Sequence, residues 1–219
     1  MLRKLIFFVF ALFVHNIFAQ IVINEFSASN FDSHLDNYGE YEDWVELYNT
    51  TNSDVDLNGW YLSDKANNAT KWQFPSSFIV SANSVAIVYC SGLDELVGGY
   101  AHTNFKVTQT KLNEVFMLSD ASGTLIDSIS VVPTQKTHSR GRDTNGGTVW
   151  SVFTNATPNA NNTGAMLEYA PMPSFSQSSG YYSAPFDLTL SSSDPNALIY
   201  YTTDGSKPDN TSNLYSGPF

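Results

Sequence analysis

The sequence predicts an all-β protein built as a sandwich or a barrel, and three observations support this fold class. Short apolar runs alternate with a period of two residues, as in half-buried strands, and turn-forming residues separate them. Aromatic residues are as frequent as charged ones, at 14% each, which is typical of exported β proteins. No apolar stripe with a 3.6-residue period extends over the length of a helix. Many short strands without alternating helices indicate a sandwich or a barrel.

Strands are predicted throughout the first two-thirds of the chain, where β-branched and aromatic residues lie between turn formers. The predicted strands are residues 21–26, 44–48, 55–57, 59–62, 71–74, 78–80, 84–89, 114–118, 124–131 and 149–153. The Asn, Thr and Ser residues within 49–54 predict a turn that joins 44–48 to 55–62 as a hairpin-like pair. Residues 119–123 predict a tight connection between the strands on either side.

The amino terminus has the pattern of a secretory signal peptide. Arg3 and Lys4 precede an apolar run over residues 5–14, and Ala19 stands just before Gln20. This run is shorter than the roughly 20 residues that span a bilayer. We therefore predict a signal peptide at 1–19, export to the cell surface or the extracellular space, and no transmembrane segment after cleavage.

The charge of the chain argues against a nucleic-acid partner. The formal net charge is −11, and removing the two basic residues of the predicted signal peptide leaves −13. Such a surface repels phosphate backbones, so we predict no nucleic-acid binding. Cys90 is the only cysteine, so an internal disulfide is excluded and burial of apolar surface must stabilise the fold.

A change in composition predicts two domains. Residues 20–163 are long enough to form one complete core, and the Pro-, Asn- and Gly-rich stretch before residue 164 ends this domain. Residues 164–172 are predicted to form a linker. A second β unit, residues 173–219, has fewer than 50 residues. That is small for an independent sandwich, so we predict an incomplete domain that continues beyond Phe219 into further domains.

No group of residues in the sequence predicts catalysis or a cofactor. His34, His102 and His138 lie in separate turn-like segments without the spacing of metal ligands. Cys90 follows an apolar strand, which favours a packed residue over a nucleophile. Glu25 alternates with apolar neighbours, as does Glu46, and we interpret both as structural carboxylates that satisfy backbone or hydroxyl donors. The chain is therefore predicted not to be an enzyme.

An acidic loop before the second predicted strand is a candidate calcium site. Its candidate ligands are Asp32, Asp36, Glu40 and Asp43. Carboxylate oxygens are the ligands that Ca²⁺ prefers, although the spacing is not that of an EF-hand loop. The alternative is a solvated acidic loop without a metal. Calcium is the only cofactor that the sequence suggests.

Aromatic residues are the other feature with a functional interpretation. Trp44 and Tyr48 share one face of their predicted strand with Glu46, while Val45 and Leu47 share the other face. Flat aromatic rings can stack on the apolar faces of sugars, so these rings could line a polysaccharide site. The alternative is that the tryptophans, including Trp44, belong to the core.

Motifs spread over residues 21–162 carry a family resemblance: Ile23-Asn24-Glu25, Trp44-Val45-Glu46-Leu47-Tyr48, Gly59-Trp60-Tyr61-Leu62, His102-Thr103-Asn104-Phe105-Lys106, Asp127-Ser128, Ser139-Arg140-Gly141-Arg142 and Thr157-Pro158-Asn159-Ala160-Asn161-Asn162. Together they resemble the bacterial secreted branch of the lamin tail domain. Gly180-Tyr181-Tyr182 and Thr202-Thr203-Asp204-Gly205 are similar to the carboxyl-terminal domain of chitobiases and hexosaminidases. The first resemblance implies an immunoglobulin-like β-sandwich, and the second implies an incomplete small β-sandwich.

These resemblances imply two alternative functions. The first is an exported, non-catalytic binding, adhesion or scaffolding module, with a surface polysaccharide or a protein as its partner. The second is the amino-terminal accessory region of a larger secreted enzyme, such as a protein of the CotH kinase family. In that case the catalytic domain would follow Phe219.

Overall fold

The structure is a computed structural model that describes residues 20–166 and 168–219. Its regular elements in the first part of the chain are β1 (Ile21–Ser27), β2 (Trp44–Asn49), β3 (Val55–Asp56), β4 (Tyr61–Lys65), β5 (Trp72–Gln73), β6 (Ile79–Val80), β7 (Val85–Tyr89), β8 (Glu95–Val97), β9 (Tyr100–His102), β10 (Glu114–Ser119), β11 (Leu125–Ser130), β12 (Ser139–Arg142) and β13 (Trp150–Phe153). The described residues contain strands and no helix, which confirms the all-β prediction. The described residues therefore include no helix that is long and apolar enough to cross a membrane. The predicted signal peptide lies outside the described residues.

Two sheets pack face to face and enclose one core. The larger sheet has seven strands in the order β13-β12-β1-β2-β7-β9-β8, and the smaller has four in the order β11-β10-β4-β5. Ile23 and Leu47 of the larger sheet meet Leu62 and Leu118 of the smaller one in a single buried cluster. This two-layer arrangement is the immunoglobulin-like sandwich that the resemblance implied.

The predicted hairpin between 44–48 and 55–62 is wrong. β2 pairs with β1 on one side and with β7 on the other, whereas β3 pairs with β6 and β4 joins the smaller sheet. Residues 50–54 therefore lead from one sheet toward the other. Turn-forming residues mark where the chain reverses but carry no information about which sheet the next strand enters. The tight connection at 119–123 is confirmed, because β10 and β11 pair directly on either side of it.

Three strands of the sandwich have no apolar alternation and were not predicted. β8 and β9 form a short hairpin whose turn residues, Gly98 and Gly99, have φ angles of +58° and +87°. Such angles favour glycine and suit a two-residue turn. β12 consists of polar residues and glycine, yet most of it is buried between β1 and β13. The apolar period fails there because the strand buries hydrogen-bonded polar groups.

The described chain divides into two compact units, and the division lies between residues 167 and 168, within the predicted linker. Met166 still belongs to the first unit, since it exchanges two backbone hydrogen bonds with Val152 of β13. The second unit has β14 (Ser174–Phe175), β15 (Leu190–Ser191), β16 (Tyr200–Tyr201) and β17 (Asn213–Leu214) in two two-stranded sheets. Within it, Asp204 accepts hydrogen bonds from the backbone N–H and the hydroxyl of Ser206, which is typical of a turn-forming residue.

Candidate functional site

The face of the seven-stranded sheet that points away from the core, which we call the outer face, carries large aromatic and acidic side chains. Their positions follow from strand alternation, since Val45 and Leu47 point into the core and their neighbours on β2 point outward. Across β2 and β7 the outward residues pair as Trp44 with Tyr89, Glu46 with Ile87 and Tyr48 with Val85. The alternation predicted for residues 44–48 is therefore confirmed.

A β-bulge brings two carboxyl groups together on this face. The register of β1 against β2 shifts between Ile23 and Glu25, so that Asn24 and Glu25 both present their side chains to the outer face. Glu25 lies opposite Glu46 in the ladder, and both side chains are fully buried. A pair of adjacent buried carboxyl groups requires hydrogen-bond donors from the surrounding chain.

Glu25 receives these donors from β12 and from the segment after β13. The Ser139 hydroxyl donates to Oε1 at 2.5 Å, and the Thr157 backbone N–H donates to the same oxygen at 2.9 Å. The Thr157 hydroxyl donates to Oε2 at 2.5 Å. Burial raises the pKa of Glu25, and these hydrogen bonds partly oppose the rise.

Glu46 has fewer donors and a larger pKa shift. The Asn24 amide donates to Oε1 at 2.9 Å, and the Asn159 backbone N–H donates to Oε2 at 2.8 Å. The pKa of Glu46 is raised to about 8, mainly by burial and also by the neighbouring Glu25 charge, while the hydrogen bonds from Asn24 and Asn159 oppose the rise. At neutral pH Glu46 is therefore mostly protonated in the folded protein.

Residues 156–162, which we call the strap, lie across the outer face and are held by this pair. Thr157 and Asn159 donate to the two carboxyl groups, and the Asn162 amide donates to the Arg142 carbonyl at 2.6 Å. Ala156 packs against the small cluster of Trp44, Ile87 and Tyr89. The strap therefore completes the burial of a face that would otherwise meet water.

An ion pair satisfies the backbone of the bulge. Asp127 Oδ2 accepts a hydrogen bond from the Ile23 N–H at 2.9 Å, and Arg142 Nε donates to the Ile23 carbonyl at 2.7 Å. The same Arg142 donates from Nη2 to Asp127 Oδ2 at 2.8 Å. Because a bulge interrupts the ladder, these side chains replace the missing strand partners.

The carboxyl pair is tied into the fold by hydrogen bonds from the chain itself. Each of the four carboxyl oxygens of Glu25 and Glu46 accepts a hydrogen bond from the chain, and neither side chain reaches solvent. As interpreted from the sequence, both carboxyl groups satisfy buried donors of the chain.

Close packing around this network predicts that Gly141→Ala destabilises the fold. A Cβ at this position would lie 3.0 Å from Asn162 Nδ2, Glu25 Cγ and Phe153 Cε2. We expect a loss of roughly 1–3 kcal/mol in the free energy of unfolding, as for other overpacked interiors. Urea unfolding followed by tryptophan fluorescence would measure it, with Gly217→Ala as a control, because Gly217 has open space around it and no positive φ angle. An unchanged midpoint for Gly141→Ala would contradict this packing.

Beside the strap, aromatic rings stack around Tyr89. The His34 ring lies parallel to the Tyr89 ring with centroids 6.0 Å apart, and the His102 ring stacks on the Tyr89 ring at 5.1 Å. Tyr100 and Tyr38 contact this stack and remain about half exposed. Burial lowers the pKa values of His34 and His102, so both rings stay neutral at neutral pH. The stack holds Tyr100 in place at the surface.

Two clefts open on the outer face next to each other. The first, which we call the aromatic cleft, has a volume of about 430 Å³ and walls that include Ile79, Ile87, Tyr89 and Tyr100. The second, which we call the amide cleft, has a volume of about 370 Å³ and is lined by Asn83, Ser84, Val85, Asn145, Asn159, Ala160 and Asn161. Val85 and Asn159 line both clefts, so the two are contiguous.

Comparison with known families identifies this sandwich. The family model of the Lamin Tail Domain matches residues 18–133, which is just over half of the 219 residues. The chain belongs to the lamin tail domain family. Residues 177–219 are similar to the Chitobiase/beta-hexosaminidase C-terminal domain, which agrees with the order of the two predicted domains. No curated protein matches the chain. A CotH-type catalytic domain after Phe219 is supported by neither match and stays a prediction.

The lamin tail sandwich of this chain extends beyond the matched residues. β12 pairs with β1, and β13 pairs with β12, so both strands complete the larger sheet. The strap also belongs to the sandwich through its bonds to Glu25 and Glu46. The motifs that carry the resemblance, from β1 to the strap, therefore converge on the bulge and its polar network.

Two of the four predicted calcium ligands, Asp36 and Asp43, are used by the chain itself, while the Glu40 side chain is exposed. Asp36 Oδ1 accepts hydrogen bonds from the backbone N–H groups of Tyr38 and Glu40, and Asp43 Oδ1 accepts one from Asn30. Asp32 is exposed. Burial raises the pKa of Asp43 to about 6. Across residues 20–166 and 168–219, no group of three or more His, Cys, Asp or Glu side chains could hold a metal ion, so the calcium site stays a prediction without structural support.

Other candidates from the sequence have structural positions in the lamin tail domain. Trp72 is buried in the core and Trp60 and Trp150 are partly buried against it, so the core interpretation is confirmed for these three tryptophans. Trp44 is buried instead in the small cluster of the outer face. Cys90 is also buried, and burial raises its pKa well above the usual value. Tyr100 could not be predicted as a site residue, because its hairpin lacks apolar alternation and its ring packs against Tyr89 of a different strand.

Proposed function

We propose that this chain is an exported, non-catalytic binding module that acts at the cell surface or outside the cell. Its contact surface is the aromatic cleft on the outer face of the lamin tail domain. The observation that carries this proposal is the open cleft of about 430 Å³ with an exposed Tyr100 ring on one wall. Its volume lies in the range typical of ligand sites, roughly 300–1,000 Å³.

The walls of the cleft support binding rather than chemistry. Apolar side chains such as Ile79 and Ile87 supply contact area, and Ser77 and Asn159 supply a few polar groups. Such a combination is typical of binding sites, in which apolar surface gives affinity and a few polar groups orient the ligand. The signal-peptide pattern at residues 1–19 supports export.

The Tyr100 ring packs against an aromatic neighbour that is itself in contact with other rings, which favours an ordered contact surface. Its neighbour Tyr89 is held between the rings of His34 and His102. An aromatic side chain that is already ordered in the free protein loses little conformational entropy on binding. Truncation of such an aromatic anchor has a larger effect than truncation of a mobile surface residue.

The prediction is that Tyr100→Ala weakens binding at least tenfold, whatever the ligand. The test applies the purified chain to an array of glycans and to an array of purified extracellular proteins. Tyr41→Ala is the matched control, because Tyr41 has a similar exposed fraction, 46% against 44%, but lines a different cleft. A chain that binds nothing on either array, or binds equally well without the Tyr100 ring, would rule out this proposal.

A further inference from the structure

The two clefts of the outer face form one groove without a charged side chain. The aromatic cleft and the amide cleft share Val85 and Asn159, and every residue that lines either of them is uncharged. By contrast, a third cleft of this domain is lined by Glu42, Lys106 and other charged residues.

From this groove we infer the ligand class, in an inference that rests on the proposed function: a neutral polysaccharide whose chain lies along both clefts. Charged partners are disfavoured, because an ionic group placed in an uncharged groove loses hydration without gaining a counter-charge. A neutral polymer has no such cost. Because the two clefts share Val85 and Asn159, a linear chain that occupies one of them can extend into the other.

The aromatic cleft suits the apolar faces of sugar rings. Pyranose rings present C–H groups on their faces and hydroxyl groups around their edges. The Tyr100 ring offers a flat apolar surface with a polar tip, which is the type of side chain that binds amphipathic ligands. Gly99 lies on the same wall. A Cβ placed on Gly99 would have no neighbouring atom within 4 Å, so the space next to the Tyr100 ring is open.

The amide cleft suits the hydroxyl groups at the ring edges. Asn83, Asn159 and Asn161 are exposed there, and an amide both donates and accepts hydrogen bonds, as a hydroxyl does. Within the described chain, the Asn159 side chain makes no hydrogen bond, so its donors and its acceptor are available to a ligand.

The buried network positions Asn159 for this role. Its backbone N–H donates to Glu46 Oε2 at 2.8 Å, and its φ angle is +59°, in the left-handed region. The carboxyl pair of the outer face therefore fixes the strap residue that both clefts share. The backbone of Asn159 is held by the polar network, and its side chain is a candidate contact for the polysaccharide in the groove.

The test is affinity electrophoresis of the full chain in gels that contain a neutral β-glucan, a neutral galactomannan, or anionic alginate. We expect retardation by at least one neutral polymer, little change between 0.05 and 0.5 M salt, and none by alginate. Tyr100→Ala should weaken retardation at least tenfold. Asn159→Gly, which removes the amide without straining a positive φ angle, should weaken it severalfold.

Controls separate the groove from other surfaces. Tyr41→Ala should bind as the wild type does, and so should Tyr181→Ala, which removes a fully exposed ring of the second unit. Loss of retardation in Tyr181→Ala alone would overturn the inference by placing the site in the second unit. Binding only to alginate, or binding abolished by salt, would also overturn it.

Failure of this inference is distinguishable from failure of the proposed function. Suppose that no neutral polymer retards the chain but that an arrayed protein binds it and that this binding depends on Tyr100. The proposed function as a binding module is then supported, and the inference of a polysaccharide ligand is wrong. If no ligand of either kind depends on Tyr100, both proposals are wrong.

Discussion

Glu25→Ala is expected to lower the free energy of unfolding by about 4 kcal/mol, the largest effect of any single substitution outside the hydrophobic core. The carboxyl group accepts three hydrogen bonds, from the Ser139 hydroxyl and from the N–H and hydroxyl of Thr157. Its removal leaves these donors without an acceptor in a buried region and opens a cavity next to Phe153. Each unsatisfied buried polar group costs roughly 1–3 kcal/mol.

Chemical unfolding in urea would measure this loss, and Glu25→Gln provides the matched control. Glutamine keeps the volume and one acceptor oxygen, so its destabilisation should be less than half as large. The strap should also become more accessible in Glu25→Ala, because Thr157 loses its attachment to the sheet. Hydrogen exchange at the Thr157 N–H would report this. Equal stability of Glu25→Ala and wild type would show that the carboxyl pair does not hold the strap.

Glu46 is expected to make the fold less stable as the pH rises from about 5 to about 8. Its folded-state pKa is raised to about 8 by burial, whereas the unfolded chain releases this proton near the ordinary value of 4.5. Between these values the folded state binds more protons than the unfolded state, so unfolding becomes easier with increasing pH. The expected slope is roughly 1 kcal/mol per pH unit.

Other groups contribute to the pH profile with either sign. Burial raises the pKa values of Glu25 and Asp43, which act in the same direction as Glu46. Burial lowers the pKa values of His34 and His102, which gives stability that is lost as the pH falls through the ordinary histidine range. The total profile therefore mixes both effects, and a variant is needed to isolate Glu46.

Glu46→Gln isolates this contribution. The amide does not titrate, so the difference in stability between wild type and Glu46→Gln should change steadily between pH 5 and pH 8 while the histidine contribution cancels. Glutamine offers one acceptor to the two donors, Asn24 and Asn159, so the variant loses some stability at pH 5. Thermal unfolding of both proteins at half-unit pH intervals would measure the difference. Parallel profiles would show that Glu46 is ionised in the folded protein.

The candidate groove could be predicted from the sequence only in part. Alternation over residues 44–48 places Trp44 and Glu46 on the same face as each other, and the structure confirms this. The bulge at Asn24, which brings Glu25 onto that face, leaves no trace in the apolar pattern. Tyr100 joins the site because β9 pairs in parallel with β7, and no local signal indicates a parallel partner.

The polar network could not be predicted because its members are far apart in the chain. The Asn24 amide donates to Asn162, which lies 138 residues away, and to the carboxyl group of Glu46. Taken alone, each of these residues is of a type that is common in turns or strands. The resemblance to lamin tail domains brought these motifs together as a family pattern, but their shared role became visible only when the bulge, β12 and the strap were seen in contact.

Local sequence patterns were enough to predict the fold class, the approximate position of most strands and the alternation of buried and outward residues, because these depend on residues a few positions apart. The pairing of the strands, the position of the strap and the rings that line the groove emerged only from the folded chain. These depend on hydrogen bonds and packing between distant segments, such as Glu25 with Thr157 and Tyr89 with His34. Their geometry is set by the whole sandwich and by no single segment of it.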